Sequence, residues 1–160
     1  MAHKVFYSFH FDNDSWRAGT VRGIGKLEGN EPVSENDWED VQAGGDAAIE
    51  AWIANQMIGK DCLVVLIGSE TAERKWIKYE IKYAWEAGLG VMGIHVHNLL
   101  DAQRNQTSMG QNPFRAFNVG GEPMTSLVTA HNPKFTTSTY VYNEIAENIE
   151  AWVADAINSR

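Results

Sequence analysis

The sequence holds one cysteine, Cys62, among 160 residues. A single thiol excludes an internal disulfide and fits a reducing cytosol, so a cytoplasmic location is expected. Cys62 opens the apolar run that continues to Ile67, which marks it as a packed small side chain rather than a nucleophile. Positive charge is also scarce: 13 Lys and Arg face 21 Asp and Glu, for a formal charge of −8. That balance argues against non-specific binding to nucleic acid or to an anionic membrane. It leaves room for a phosphate-bearing small ligand, which needs only a local positive spot. No apolar stretch reaches roughly the 18 residues a membrane span needs, and the N-terminus enters a strand-like run almost at once, so no signal peptide is expected.

Several catalytic signatures are missing as well. No Gly-x-Gly-x-x-Gly follows the first apolar run, which excludes ordinary Rossmann redox use of a dinucleotide. Gly23-Ile24-Gly25 falls inside a helix-like pattern and is a poor match. No Gly-x-Ser-x-Gly elbow is present, against an α/β-hydrolase. A phospho-receiver needs an acceptor Asp where the central strand ends, but Gly68-Ser69 stands there. His95 and His97 share a strand face, yet no Cys, Asp or Glu offers a convincing third ligand, so no metal is expected.

What is present is an alternation of strands and helices. Val5 to Phe9 is short, apolar and β-favouring. Asp14 or Ser15 suits the cap of a helix running to about Leu27. Residues 28 to 45 are rich in Gly, Asn and acids and read as a loop holding Trp38, with room for a short strand near Pro32-Val33. Asp46 then caps a helix whose apolar stripe is Ile49, Trp52, Ile53 and Met57. Cys62 to Ile67 shows no polar alternation, so both faces of this strand are buried, as at the centre of a parallel sheet. A helix over about 72–87, a strand over Val91 to Val96, a loop-rich stretch over 98–135 with a short strand at Ser126 to Thr129, and a final helix over Tyr140 to Ile157 complete the chain. The pattern predicts one α/β domain over residues 1–160, a doubly wound parallel sheet with helices on both faces. Ligands of such sheets bind beyond the carboxyl ends of the strands, here after Phe9, Ile67 and Val96.

One residue breaks the pattern of its helix. On a wheel of about 100° per residue, Ile77, Ala84, Ala87, Trp76 and Tyr83 share one side, while Lys75, Lys78, Lys82 and Glu86 share the other. Glu80 falls in the middle of the apolar side. A carboxylate there is costly unless it is hydrogen-bonded, paired or open to a cleft. A structural ion pair to Arg17 or Arg22 is one explanation, since ion-pair networks also place charge in apolar surroundings. The other is a functional carboxylate in an aromatic-walled cleft. Glycosidic chemistry suits such a group, because a carboxylate stabilises or attacks an oxocarbenium-like transition state. Trp76 stands four residues earlier on the same face and offers a ring to stack on a flat base.

Phe6-Tyr7-Ser8-Phe9-His10 resembles the first-strand box of TIR domains. Leu66-Ile67-Gly68-Ser69-Glu70-Thr71, Lys75-Trp76-Ile77-Lys78-Tyr79-Glu80-Ile81, Gly93-Ile94-His95-Val96 and Asn112-Pro113-Phe114 are similar to segments of the TIR-like proteins of bacterial Thoeris antiviral systems. The resemblance spans roughly residues 3 to 115, and residues 28 to 45 depart from it. It implies a flavodoxin-like fold, NAD as substrate rather than cofactor, and an essential glutamate at Glu80. It further implies a pocket lined by Ser8, Phe9 and His10, with Trp76 stacking and Asn112 as a polar position. The product would be a cyclic ADP-ribose isomer that activates a separate effector protein after a phage-derived trigger, with self-association on activation. Residues 30 to 45, with Trp38, would be a mobile loop completing a neighbour's site. Nucleoside hydrolysis or deoxyribosyl transfer, and a non-catalytic TIR-type scaffold, remain alternatives.

Overall fold

A computed structural model of the chain describes residues 2–30 and 35–160. The short strand expected near Pro32-Val33 lies outside the described residues. In chain order the elements are β1 (Val5–Ser8), α1 (Phe11–Arg22), α2 (Glu35–Ala43), α3 (Asp46–Met57), β2 (Cys62–Ile67), α4 (Lys75–Glu86), β3 (Gly90–His95), β4 (Asn118–Val119), β5 (Glu122–Pro123), β6 (Ala130–His131) and α5 (Ser138–Asn158). The main sheet has the order β1-β2-β3-β6, and each pairing is parallel. Every residue of β2 and β3 is buried, as the unbroken apolar run of a central parallel strand requires.

Strand alternation divides the core in two. Val5, Tyr7, Val64, Leu66, Met92 and Ile94 point to the face covered by α1 and α5. Phe6, Leu63, Val65, Ile67 and Val91 point to the face covered by α3 and α4, with Trp38 and Val41 of α2 packed at its margin. On the far side of β1 a parallel bridge joins Lys4 to Glu28. Beyond it, Asn30 Oδ1 accepts from the Tyr7 amide at 2.9 Å. Gly29 is required there, since a Cβ would meet the Tyr7 ring at 2.6 Å. Counting that bridge as an edge, the order matches the flavodoxin-like arrangement, and the chain reverses direction across the sheet at β1.

Four expectations need correction. The first helix starts at Phe11 and ends at Arg22, with His10 rather than Asp14 or Ser15 at its cap. Asp14 is wholly buried and paired with Arg17, and Gly25, with φ of +77°, turns the chain out of the helix well before Leu27. Residues 35–43 form α2 instead of loop. The strand expected at Ser126 to Thr129 is displaced: Met124–Ser126 makes a 3-10 turn, and pairing begins at Ala130. The helix expected from about residue 72 begins at Lys75, after a 3-10 turn over Thr71–Glu73. Among the described residues, no helix is long and apolar enough to cross a membrane.

Candidate active site

Ser8 ends β1 on the same face as Phe6, the face that α4 covers. On α4, Ile77, Ile81 and Ala84 are buried against the sheet, and Glu80 sits among them at helical spacing. The two side chains therefore meet: Ser8 Oγ donates to Glu80 Oε1 at 2.7 Å. Glu80 is only 7% exposed. Burial pushes its carboxyl up to about 8, and the Ser8 hydrogen bond opposes that rise. At pH 7 the protein by itself thus holds Glu80 mostly protonated. A cation placed beside it would draw the carboxylate out.

Glu80 borders a cavity of about 320 Å³ at the carboxyl end of β1. Its walls are largely aromatic: Phe9 and Phe11 on the β1–α1 side, Trp38, Trp52 and Trp76 on the helices opposite. Three of the molecule's six tryptophans therefore face one space, which suits flat rings. Arg22, Arg74 and Lys75 bring positive charge to the same cavity, offset by Asp12. Lys75 Nζ also bonds Asp46 at 2.6 Å and lies 4.8 Å from the centre of the Trp76 ring. Arg22 lies over the Tyr7 and Phe9 rings. An aromatic pocket with Arg22, Arg74 and Lys75 at its margin, Arg74 paired with Glu70 and Lys75 with Asp46, fits a ligand with a planar group.

The structure gathers most of the expected site residues. Phe9, His10 and Trp76 line the cavity with Glu80. Ser8 lies behind Glu80, 1% exposed. His10 is held neutral, its pKa lowered by burial and then by Arg74. Asn112 is not brought to the cavity. Its Oδ1 accepts from the Phe114 amide at 2.9 Å and caps a short 3-10 turn. Nor does Arg17 pair with Glu80: it bonds Asp14 at 3.0 Å, on the other face of the sheet edge.

Sequence reasoning misses Asn30, Gln42, Arg74 and Lys75 as cavity residues, and takes Trp52 and Ile53 only as core. Arg74 and Lys75 stand six and five residues before Glu80, at the cap and first position of α4, off the face the helical wheel singles out. Trp38, expected in a loop reaching another subunit, packs instead within its own chain, edge-on to Trp52 at 5.8 Å. His95 and His97 are buried, with ring centres 5.9 Å apart. Burial pushes His95 down to about 4, with His97 adding to the shift. Among the described residues, no three His, Cys, Asp or Glu side chains converge as a metal site. Cys62 is buried in the sheet and its thiol is pushed up to about 12, which leaves it inert at neutral pH.

Comparison with known proteins identifies a family. The family model described as "Thoeris protein ThsB, TIR-like domain" matches residues 6–101, a span that includes Ser8, Trp76 and Glu80. A protein of Bacillus cereus (strain MSX-D12), provisionally named cyclic ADP-D-ribose synthase ThsB1, is 34% identical over 119 residues. The match covers 71% of this chain and 62% of that relative, so the chain spans a little under two thirds of the length of the protein it matches.

Proposed function

This chain belongs to the TIR-like family of Thoeris ThsB proteins, and on that premise we propose that it cleaves the nicotinamide–ribose bond of NAD and closes the remainder into a cyclic ADP-ribose isomer. The observation that carries the reading is Glu80: a carboxyl buried among apolar residues, held by one neutral hydroxyl, with an aromatic cavity in front of it. The name of the Bacillus relative, a cyclic ADP-D-ribose synthase, supports the same substrate and product.

In this reading the nicotinamide ribose lies against Glu80 and a base stacks on Trp76. Phe9 and His10 close the opposite wall, and Arg74 and Lys75 face the phosphates. The positive nicotinamide ring draws Glu80 into its carboxylate form, and the displaced proton passes to solvent water. The glycosidic bond then breaks, its electron pair leaves with nicotinamide, and the carboxylate stabilises the cation at the anomeric carbon. A hydroxyl of the same ADP-ribose attacks that carbon and loses its proton to Glu80 or to water. Capture by water instead would give linear ADP-ribose. Phe9 and the three tryptophans form an apolar wall that offers attacking water few partners, which favours the internal hydroxyl. The product is a diffusible signal for a separate effector protein, made when a phage-derived trigger promotes self-association.

The test is purified protein with NAD, with and without lysate from phage-infected cells, read by mass spectrometry. Nicotinamide with a mass corresponding to ADP-ribose less water supports the reading. Cleavage of nucleosides but not NAD would replace it with nucleoside hydrolysis. Assembly with no turnover of either, under triggering conditions, would leave a scaffold.

A further inference from the structure

We propose that Ser8 is a positioning residue: its hydroxyl, fixed on β1, holds one oxygen of Glu80 and aims the other into the cavity. The consequence for turnover rests on the NAD-cleaving reading above, but the contact itself does not.

Ser8 is 1% exposed and stands behind Glu80, so it has no direct path to a ligand. Its backbone is anchored by the parallel pairing Ser8↔Val65, in a strand whose four residues are all buried. Glu80 is anchored separately, on a helix whose Ile77, Ile81 and Ala84 are packed against the sheet. The hydrogen bond between them, 2.7 Å from Ser8 Oγ to Glu80 Oε1, therefore spans two rigid elements 72 residues apart in sequence. With Oε1 tied, the carboxyl cannot spin about its last bond, and Oε2 is left for a ligand hydroxyl. A glutamate has three side-chain torsions to lose on binding. Ordering it beforehand spares the substrate that cost.

The hydroxyl also biases charge. A donor to a carboxylate favours its ionised form, and at Glu80 Ser8 acts in that sense against burial. The other charged or titratable groups around the cavity are His10 and Asp12 at the start of α1, Arg22 at its end, and Arg74 and Lys75 at the start of α4. Burial and Ser8, rather than these groups, set the Glu80 carboxyl. Tyr7, pushed up to about 12, is silent near neutrality. Removing the Ser8 hydroxyl should thus act on one titration.

The experiment follows the Glu80 side-chain carboxyl by carbon NMR across pH, with Glu80→Gln identifying its signal. Ser8→Ala should move the midpoint upward by about one pH unit, the size expected for losing a hydrogen bond to a charged group. Ser8→Thr, which keeps the hydroxyl, should stay at the wild-type midpoint. If Ser8→Ala does not fold, Ser8→Cys carries the test, because its weak S–H donor should raise the midpoint by less. In turnover, the acid limb of kcat/KM in Ser8→Ala should move by the same amount, so that activity recovers toward wild type as pH rises. An unmoved midpoint overturns the proposal, whatever happens to activity, and so does Ser8→Thr titrating like Ser8→Ala. A triggered wild-type protein that leaves NAD intact sinks the proposed function, while the NMR midpoint still decides the role of Ser8.

Discussion

Two carboxylates, Asp14 and Glu80, are buried at the carboxyl end of the sheet, one on each face. Asp14, on α1, is 0% exposed and accepts from Arg17 Nη1 at 3.0 Å. Arg17 in turn donates to the carbonyls of Leu99 and Asn105, so the pair ties α1 to the loop after β3. Gly68 presses on the same carboxylate: a Cβ there would come within 2.1 Å of Asp14 Oδ2. Nothing can enter. Glu80 has a hydroxyl where Asp14 has a guanidinium, and a cavity where Asp14 has Gly68. Burial pushes both carboxyls up, but at Asp14 the charge and hydrogen bond of Arg17 pull back. The contrast separates a carboxyl paired with a guanidinium inside the fold from one that meets a hydroxyl and borders a cavity.

Exchanging the roles of the two sites is the sharpest way to break this comparison. Glu80→Gln keeps shape and loses charge. It should lower NAD cleavage by roughly 10³-fold, the scale of removing a charge-stabilising group, with no fall in melting temperature. Unfolding with residual activity would place Glu80 in the same class as Asp14. Arg17→Ala should do the opposite. It strands a buried carboxylate, which costs about 3–5 kcal/mol, and should leave cleavage per folded molecule near wild type. Denaturant titration beside an active-fraction assay reads both numbers. A variant that melts normally but has lost activity would move Arg17 into the catalytic machinery.

The pH dependence sharpens the same contrast. Glu80 is raised to about 8 in the fold from an ordinary 4.5, so between those values the folded state binds the extra proton. Stability from this group is complete below 4.5 and is lost as pH rises toward 8. Glu80→Gln escapes that loss. Its stability advantage over wild type should therefore grow from near zero at pH 4.5 to at most ~4 kcal/mol at pH 8. Denaturant melts at the two pH values test this, and a difference that is flat with pH would mean Glu80 is ionised in the fold. The smallest effect belongs to the cavity wall. Trp76→Ala should raise KM for NAD by roughly 3–10-fold through lost stacking, about 0.5–1.5 kcal/mol, and Trp76→Phe by less. Activity that merely tracks the folded fraction in both would make Trp76 core alone.

Much of this site is legible in the sequence. Glu80 stands out because it violates a helical wheel, and the fold keeps that local violation as a nearly complete burial. Trp76 follows from being four residues away on the same face. Asn112 does not follow: its place before Pro113 makes it a turn cap, a local use of a short amide that a pocket assignment overlooks. The helix over 35–43 is hidden by its composition. It has two apolar anchors, Trp38 and Val41, and only the meeting of Trp38 with Trp52 explains why so polar a segment is held on the sheet's margin.

Period and polarity along the chain determined β1, β2 and β3 of the sheet, the helices α3, α4 and α5, and the one carboxylate out of place. These are properties of neighbours in sequence, set by which side chains tolerate water. Tertiary structure alone decided what each buried charge would meet. Asp14 has the look of a cap and is half of an ion pair, because α1 begins at Phe11 and turns it inward toward Gly68. Glu80 is a candidate partner for Arg17 by composition and meets Ser8 instead, because strand alternation and the packing of α4 bring those two together across 72 residues of chain. Sequence spacing cannot rank such distant partners, since the free energy that selects them comes from the packing of whole layers.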